Sequence, residues 1–342
     1  MKKTLATALG IGVTVALAAL LAGCTGPSNE SSGSTASASS PSFSSSPSSA
    51  SQQTASGSEQ TTTEWTTVED GKLESPLAQQ LAQDINPIIK KSGMGMGVCV
   101  IDLESGERFE SGGDKRMISA SMIKLAIAAS FLEAIEAGDF SLDDTYVVEY
   151  EDIVGGTGSL GEQGAGAEVT YSELLEMMIA ESDNTATNIL INAVGKKAVN
   201  ATAQHLGLAQ TKLNRLMMDE DAIAEGTENY VSARDVATIL ELAYQHKLVS
   251  EKASKHLLSA LSKQIDDTGI LAGLPKRAKF AHKTGSLASV QHDGGIVTGE
   301  DGHNYAVVVL CGGKGFTLDG ALDAMEDIGR VTYRDLVTKR QG

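Results

Sequence analysis

Three short motifs have the residue types and order to do chemistry together: Ser121-Met122-Ile123-Lys124, Ser182-Asp183-Asn184 and Lys283-Thr284-Gly285, the last followed by Ser286. Each occurs once, with Ser182 61 positions after Ser121 and Lys283 101 positions after Ser182. Lys124 lies three residues beyond Ser121, so on a helix both side chains project from one face. Apolar residues flank it on both sides, and burial lowers an ammonium's pKa toward a value at which the amine accepts a proton. Lys124 is therefore a candidate base for Ser121, and the pair a candidate for nucleophilic acyl transfer. At a helix start the backbone N–H groups are unpaired and the dipole favours negative charge, which suits an oxyanion beside Ser121. Ser182-Asp183-Asn184 offers a hydroxyl, a carboxylate and an amide at a helix boundary. Ser182 could relay a proton and Asn184 could bond a substrate amide, although all three residue types are also ordinary helix caps.

The flanking pattern supplies the elements that must position these groups. Ser75-Pro76 reads as a cap and first position of a helix running to Gly93, and residues 97–102 as a buried strand followed by a turn and a returning strand from Arg108. Residues 119–137 are apolar nearly all round, which predicts a helix inside a core. A capping box at Thr170-Tyr171-Ser172-Glu173 opens another helix, residues 185–195 end one at Gly195, and residues 232–246 form a further one. Strand patterns return at 278–282, 291–298 and 305–311, with a closing helix over 318–336. Strands at both ends around a helical middle imply an α/β fold of two lobes, an antiparallel sheet lobe built from both termini and an inserted all-α lobe. Active sites favour such seams.

The first quarter of the chain is of a different kind. Lys2 and Lys3 precede an apolar run that ends in Leu21-Ala22-Gly23-Cys24, the pattern of an export signal with a lipobox. Residues 1–24 are thus expected to be a lipoprotein signal peptide, with lipidation of Cys24 anchoring the protein to the outer face of a bacterial membrane. Residues 25–68, almost entirely Ser, Thr, Ala, Gly, Gln and Pro, read as a disordered tether reaching on the order of 35 Å. Residues 69–342 are long enough for one large two-lobed domain. A net charge of −17 argues against nucleic acid as a partner and against an electrostatic hold on anionic lipid. Cys99 and Cys311 lie in strand-like segments; spacing leaves open whether they pair or stay free. No paired Cys/His spacing suggests a metal, and the glycine-rich segment 155–166 lacks a Walker lysine and a dinucleotide fingerprint. His292-Asp293 reads as a structural pair of strand residues.

Together the three motifs resemble the signature of class A beta-lactamases and penicillin-binding proteins. The resemblance runs from about Lys72 to the C-terminus and includes Gly155-Gly156-Thr157-Gly158 and Leu213-Asn214-Arg215, where an Ω-shaped loop would begin. It implies that Ser121 attacks a β-lactam or peptide carbonyl, that Lys124 helps deprotonate it, and that Ser182 passes the proton to the departing nitrogen. Lys283 would support Ser182 and attract the substrate carboxylate with the hydroxyls of Thr284 and Ser286, Gly285 completing the motif. The N–H groups of Ser121 and Ser286 would form the oxyanion hole, and Asn184 would hold the acylamino side chain. Two departures stand out. The position where the family keeps its deacylating Glu is Met217, and the expected acidic partner of Arg215 appears as Asn229, leaving Asp219, Glu220 and Asp221 as substitutes. The Arg that often assists Lys283 has no equivalent among Gln291, His292 and Asp293.

The expected protein is a cofactor-free, exported, lipid-anchored and monomeric serine acyl-hydrolase of that family, facing the cell wall and acting on β-lactam amides. The alternatives are a D-alanyl-D-alanine peptidase-like penicillin-binding protein with slow deacylation, and a non-catalytic lipoprotein that binds wall fragments.

Overall fold

A buried antiparallel sheet assembled from both ends of the chain frames the fold. The computed structural model describes residues 75–339, so the expected export signal, Cys24 and the expected tether lie outside the described residues. Helix α1 (Pro76–Ser92) leads into strands β1 (Gly95–Asp102), β2 (Arg108–Ser111) and β3 (Met117–Ile118). A 3₁₀ turn (Ala120–Ile123) then opens α2 (Lys124–Ala137). The helical middle holds β4 (Thr145–Val147), α3 (Leu160–Gln163), β5 (Glu168–Thr170), α4 (Tyr171–Ala180), α5 (Asn184–Val194), α6 (Lys196–His205) and α7 (Glu220–Ala224). After β6 (Tyr230–Val231) come α8 (Ala233–Tyr244) and α9 (Glu251–Leu261). The chain closes with β7 (Lys279–Leu287), β8 (Val290–Thr298), β9 (Asn304–Gly312) and α10 (Leu318–Tyr333).

The main sheet has the order β2-β1-β9-β8-β7, every neighbour antiparallel. All eight residues of β1 are buried, because the sheet is covered on both sides and each alternate side chain meets a core. Val98, Val100, Val307 and Val309 pack with Leu81 and Ile85 of α1 and Met325 and Ile328 of α10. Ile101, Ala306, Val308 and Leu310 face the other way, into the core shared with α8 and the helical lobe. Helix α2 is that lobe's axle: residues 124–132 are all buried, and α4, α5, α6, α8 and α9 pack around it. A helix without a polar face can be stable only where neighbours enclose it.

The two-lobed α/β architecture matches the sequence expectation, as do the Ser75 cap, the Thr170–Glu173 capping box and the Gly195 terminus. One strand differs. The sequence suggests that it stops near His282, but β7 continues to Leu287, with Lys283 opposite Gly294, Thr284 opposite Asp293 and Gly285 opposite His292. Lys, Thr, Gly and Ser have weak strand patterning of their own; pairing with β8 extends the strand through them.

Cys99 and Cys311 are free. Cys99 belongs to the core on one face of the sheet and Cys311 to the core on the other, so no bond between them can form. Burial raises both thiols far above their ordinary range. In alkylation of the native protein followed by peptide mapping, both should stay unlabelled until denaturant is added. Labelling of either in the folded state would contradict this placement.

Candidate active site

The chain enters the site strained. β3 is held by β6, and the Ser119 N–H donates to Asn229 O at 2.8 Å. Ala120 then adopts φ +43°, the left-handed region that costs a residue with a Cβ about 1–3 kcal/mol. This twist replaces the regular helix start expected at residue 119. The following 3₁₀ turn has three residues per turn, so Ser121 and Lys124 still stack on one face. Gly285 of β7 lies directly against this turn. A Cβ there would stand 3.0 Å from Ser121 N and 3.2 Å from Met122 N, so any larger residue would push the strand and the turn apart by a few tenths of an ångström.

Lys124 is fully buried. Its Nζ donates to Ser182 O at 2.6 Å and Asn184 Oδ1 at 2.9 Å, and contacts Ser182 Oγ at 3.2 Å. Burial drives its pKa well below the ordinary value and the nearby Lys283 lowers it further, with Asp183 opposing. A neutral amine retains two N–H bonds, enough for the two shorter contacts, and its lone pair becomes free to take a proton. Ser182 has φ +58°, and its carbonyl also accepts from Thr157 Oγ1 at 2.6 Å. Asp183 caps α5 by accepting from Ala186 N and also receives Leu160 N–H, each at 2.8 Å. Asn184 Nδ2 donates to Gly155 O at 3.1 Å, which ties the glycine segment to the same cluster.

Lys283, also fully buried, donates to Thr284 O at 2.8 Å. Burial lowers its pKa to about 7, with Asp266 and Asp293 opposing the fall. Asp266 is a neighbour that the sequence reading missed, since Asp266-Asp267-Thr268-Gly269 looks like a turn. Burial tends to raise its pKa, but hydrogen bonds from Thr268 and the Thr284 hydroxyl and the charge of His282 bring the net shift downward. Thr284 thus faces a carboxylate, while Ser286 is exposed near the strand end. Asp293 binds His282 Nδ1 at 2.8 Å and receives Ile270 N–H at 2.9 Å. His292 is buried with it but contacts Ile118, so the two adjacent residues are structural without being partners. Ser121, Lys124, Ser182, Asn184, Lys283 and Gly285 are brought together from three separate parts of the chain.

The sequence profile of the beta-lactamase enzyme family matches residues 80–336. The chain belongs to that family. It is 28% identical over 249 residues to beta-lactamase L2 of Stenotrophomonas maltophilia, an alignment covering 71% of this chain and 76% of that protein. Among solved structures, PBP-A is 29% identical with a TM-score of 0.68, covering 76% of this chain and 96% of its own. A beta-lactamase from Sphaerobacter thermophilus is 30% identical with a TM-score of 0.67, covering 75% and 95%. The protein is, at the level of the family, a class A beta-lactamase-like serine hydrolase.

The loop around Arg215 and Met217 of this beta-lactamase-family protein is held by partners that the sequence did not reveal. Arg215 pairs with Glu228, Nη2 to Oε2 at 2.6 Å, and its Nε also donates to Thr227 O at 3.0 Å. The expected substitutes do other things: Asp219 caps α7 by accepting from Ala222 N, and Glu220 and Asp221 are exposed. Asn229 accepts the N–H groups of Asn214 and Arg215 at 2.7 and 3.0 Å, closing the loop by hydrogen bonds. Asn188, one turn beyond Asn184 on α5, clamps Met217 by receiving its N–H at 2.8 Å and donating to its carbonyl at 3.0 Å. Met217 itself is buried in the main core. Glu228→Gln leaves the Arg215 guanidinium, 9% exposed, without its counter-charge, and should cost about 2–3 kcal/mol in urea unfolding. A loss below 0.5 kcal/mol, within the usual range for surface substitutions, would show that the pair does not close the loop.

Proposed function

We propose that this protein is a serine acyl-hydrolase acting on β-lactam amides through a Ser121 acyl-enzyme that forms faster than it is hydrolysed. The observation that carries the reading is the contact of all three motifs around one buried amine: Lys124 reaches Ser182 and Asn184, and Gly285 abuts Ser121. The Ser121 hydroxyl gives its proton to Lys124 Nζ as Oγ bonds to the lactam carbonyl carbon. The oxyanion lies at the N–H groups of Ser121 and Ser286. When the C–N bond breaks, the proton passes from Lys124 through the Ser182 hydroxyl, 3.2 Å away, to the leaving nitrogen. Lys283 draws in the substrate carboxylate with Thr284 and Ser286, Asp266 limiting that attraction, and Asn184 holds the acylamino group.

Hydrolysis of the ester needs a base for water, and Met217 offers a thioether held at the backbone by Asn188. This favours a second reading from the same site: a D-alanyl-D-alanine peptidase-like penicillin-binding protein in which the acyl-enzyme persists. A mutant of the similar PBP-A has been solved as an acyl-enzyme complex with penicillin-G. In either case the export signal, Cys24 anchor and tether expected over residues 1–68 would hold a monomeric catalytic domain, residues 69–342, outside the bacterial membrane and facing the cell wall.

Intact-mass spectra after penicillin treatment should show an adduct that Ser121→Ala abolishes. Met217→Glu should raise the steady-state hydrolysis rate while the acylation rate stays nearly constant. An adduct retained by Ser121→Ala would refute the nucleophile. Fast wild-type turnover that collapses on mutation of Asp219, Glu220 or Asp221 would refute the missing base.

A further inference from the structure

His292 is fully buried on β8 and has no part in the proton transfers above. Its Nε2 lies 2.8 Å from Ile118 O, and its Nδ1 receives the Cys311 N–H at 3.3 Å and lies 2.8 Å from Gln291 O. Ile118 O and Gln291 O can each only accept, so a neutral ring bonds just one of them; the Cys311 N–H, which can only donate to Nδ1, favours the tautomer with the ring proton on Nε2, aimed at Ile118 O. Burial lowers the imidazole's pKa to about 4, which keeps it neutral near physiological pH.

Ile118 ends β3, three residues before Ser121. Between them stand Ser119, anchored to Asn229, and the left-handed Ala120. Such a conformation persists only where the surrounding structure holds both flanks. His292 supplies one hold from the main sheet, to which the short β3–β6 pair does not belong. His292 is also the residue opposite Gly285 in the β7–β8 ladder, and Gly285 is the point where β7 touches the Ser121 turn. One residue thereby ties the two backbone segments that must face each other across a bound carbonyl, its side chain bonding the Ser121 segment and its backbone pairing with β7.

We propose that His292 is a positioning residue: its Nε2–H···O=C bond to Ile118 fixes the distance between the Ser121 turn and β7, and with it the geometry of the oxyanion-binding N–H pair. The proposal rests on the Ser121 acyl-enzyme reading. Gln places an amide N–H as many bonds from the backbone as Nε2, whereas Leu fills similar space without a donor.

The test compares wild type, His292→Gln and His292→Leu for acylation by penicillin G and for affinity toward an aryl boronic acid, which forms a tetrahedral adduct with a serine and mimics the oxyanion. Both are read at a temperature where circular dichroism shows all three folded. His292→Leu should lose on the order of tenfold or more in the second-order acylation rate and a similar factor in boronate affinity, and His292→Gln should recover most of both. Imidazole ¹⁵N shifts of the wild type should report the Nε2–H tautomer near neutral pH, a readout that stands even if the Leu variant does not fold. Equal acylation and boronate binding by a folded Leu variant, a Gln variant no better than Leu, or a proton on Nδ1 would each overturn the proposal. A wild type that forms no penicillin adduct would instead defeat the acyl-enzyme reading on which it rests.

Discussion

A lysine amine sealed from water is the constraint on which the site depends. An ammonium buried without partners is expensive, so the Ser182 carbonyl and the Asn184 amide must be delivered to Lys124 with correct geometry. The loop before α5 does this, braced by Asp183 as a cap and by Thr157 and Gly155 from the facing segment. Burial that makes the amine costly as a cation also makes it available as a base. The same cause has a pH consequence. Lys124 has a lowered pKa in the folded state, so the unfolded chain binds more protons, and this group's cost to stability fades as pH rises toward the ordinary lysine value.

Two residues with left-handed backbones, Ala120 and Ser182, stand in the segments on either side of that amine. Neither is a glycine, and both are locked by hydrogen bonds from other elements: Asn229 and His292 flank the first, Lys124 and Thr157 hold the second. Strain stored this way holds Ser121 and Ser182, the proposed nucleophile and proton relay, in place before substrate arrives. A glycine in β7 lets that strand lie closely against the Ser121 turn. The helical lobe and the sheet lobe are thus joined chemically as well as by packing.

Much of this was legible in the sequence because the relevant signals are local. The serine-lysine spacing, the apolar α2, the Thr170 capping box and the β9 run each declare themselves within a few residues. The parts that were not legible depend on tertiary partners. Nothing near Ala120 announces a 3₁₀ turn, which comes from anchoring Ile118 and Ser119 to distant strands. Lys283 through Ser286 look like a strand end until β8 lies beside them. Glu228 lies 13 residues from Arg215, with four nearer acidic residues as decoys, and Asn188 is an ordinary helix residue until the loop folds over it. Asp266 reads as a turn carboxylate, yet it contacts Thr284 and acts electrostatically on Lys283.

Burial and the neighbouring Lys283 hold the Lys124 pKa well below its ordinary value, and the proposed acylation needs that amine neutral to take the proton of Ser121. Heteronuclear NMR of the Lys124 side chain, followed through a pH titration with Lys124→Arg used to assign the signal, measures this directly. The Nζ charge should be lost well below the ordinary lysine value of 10.5. A resonance that remains that of an ammonium up to pH 10.5 would contradict it, and would make Lys124 a structural cation in place of a base.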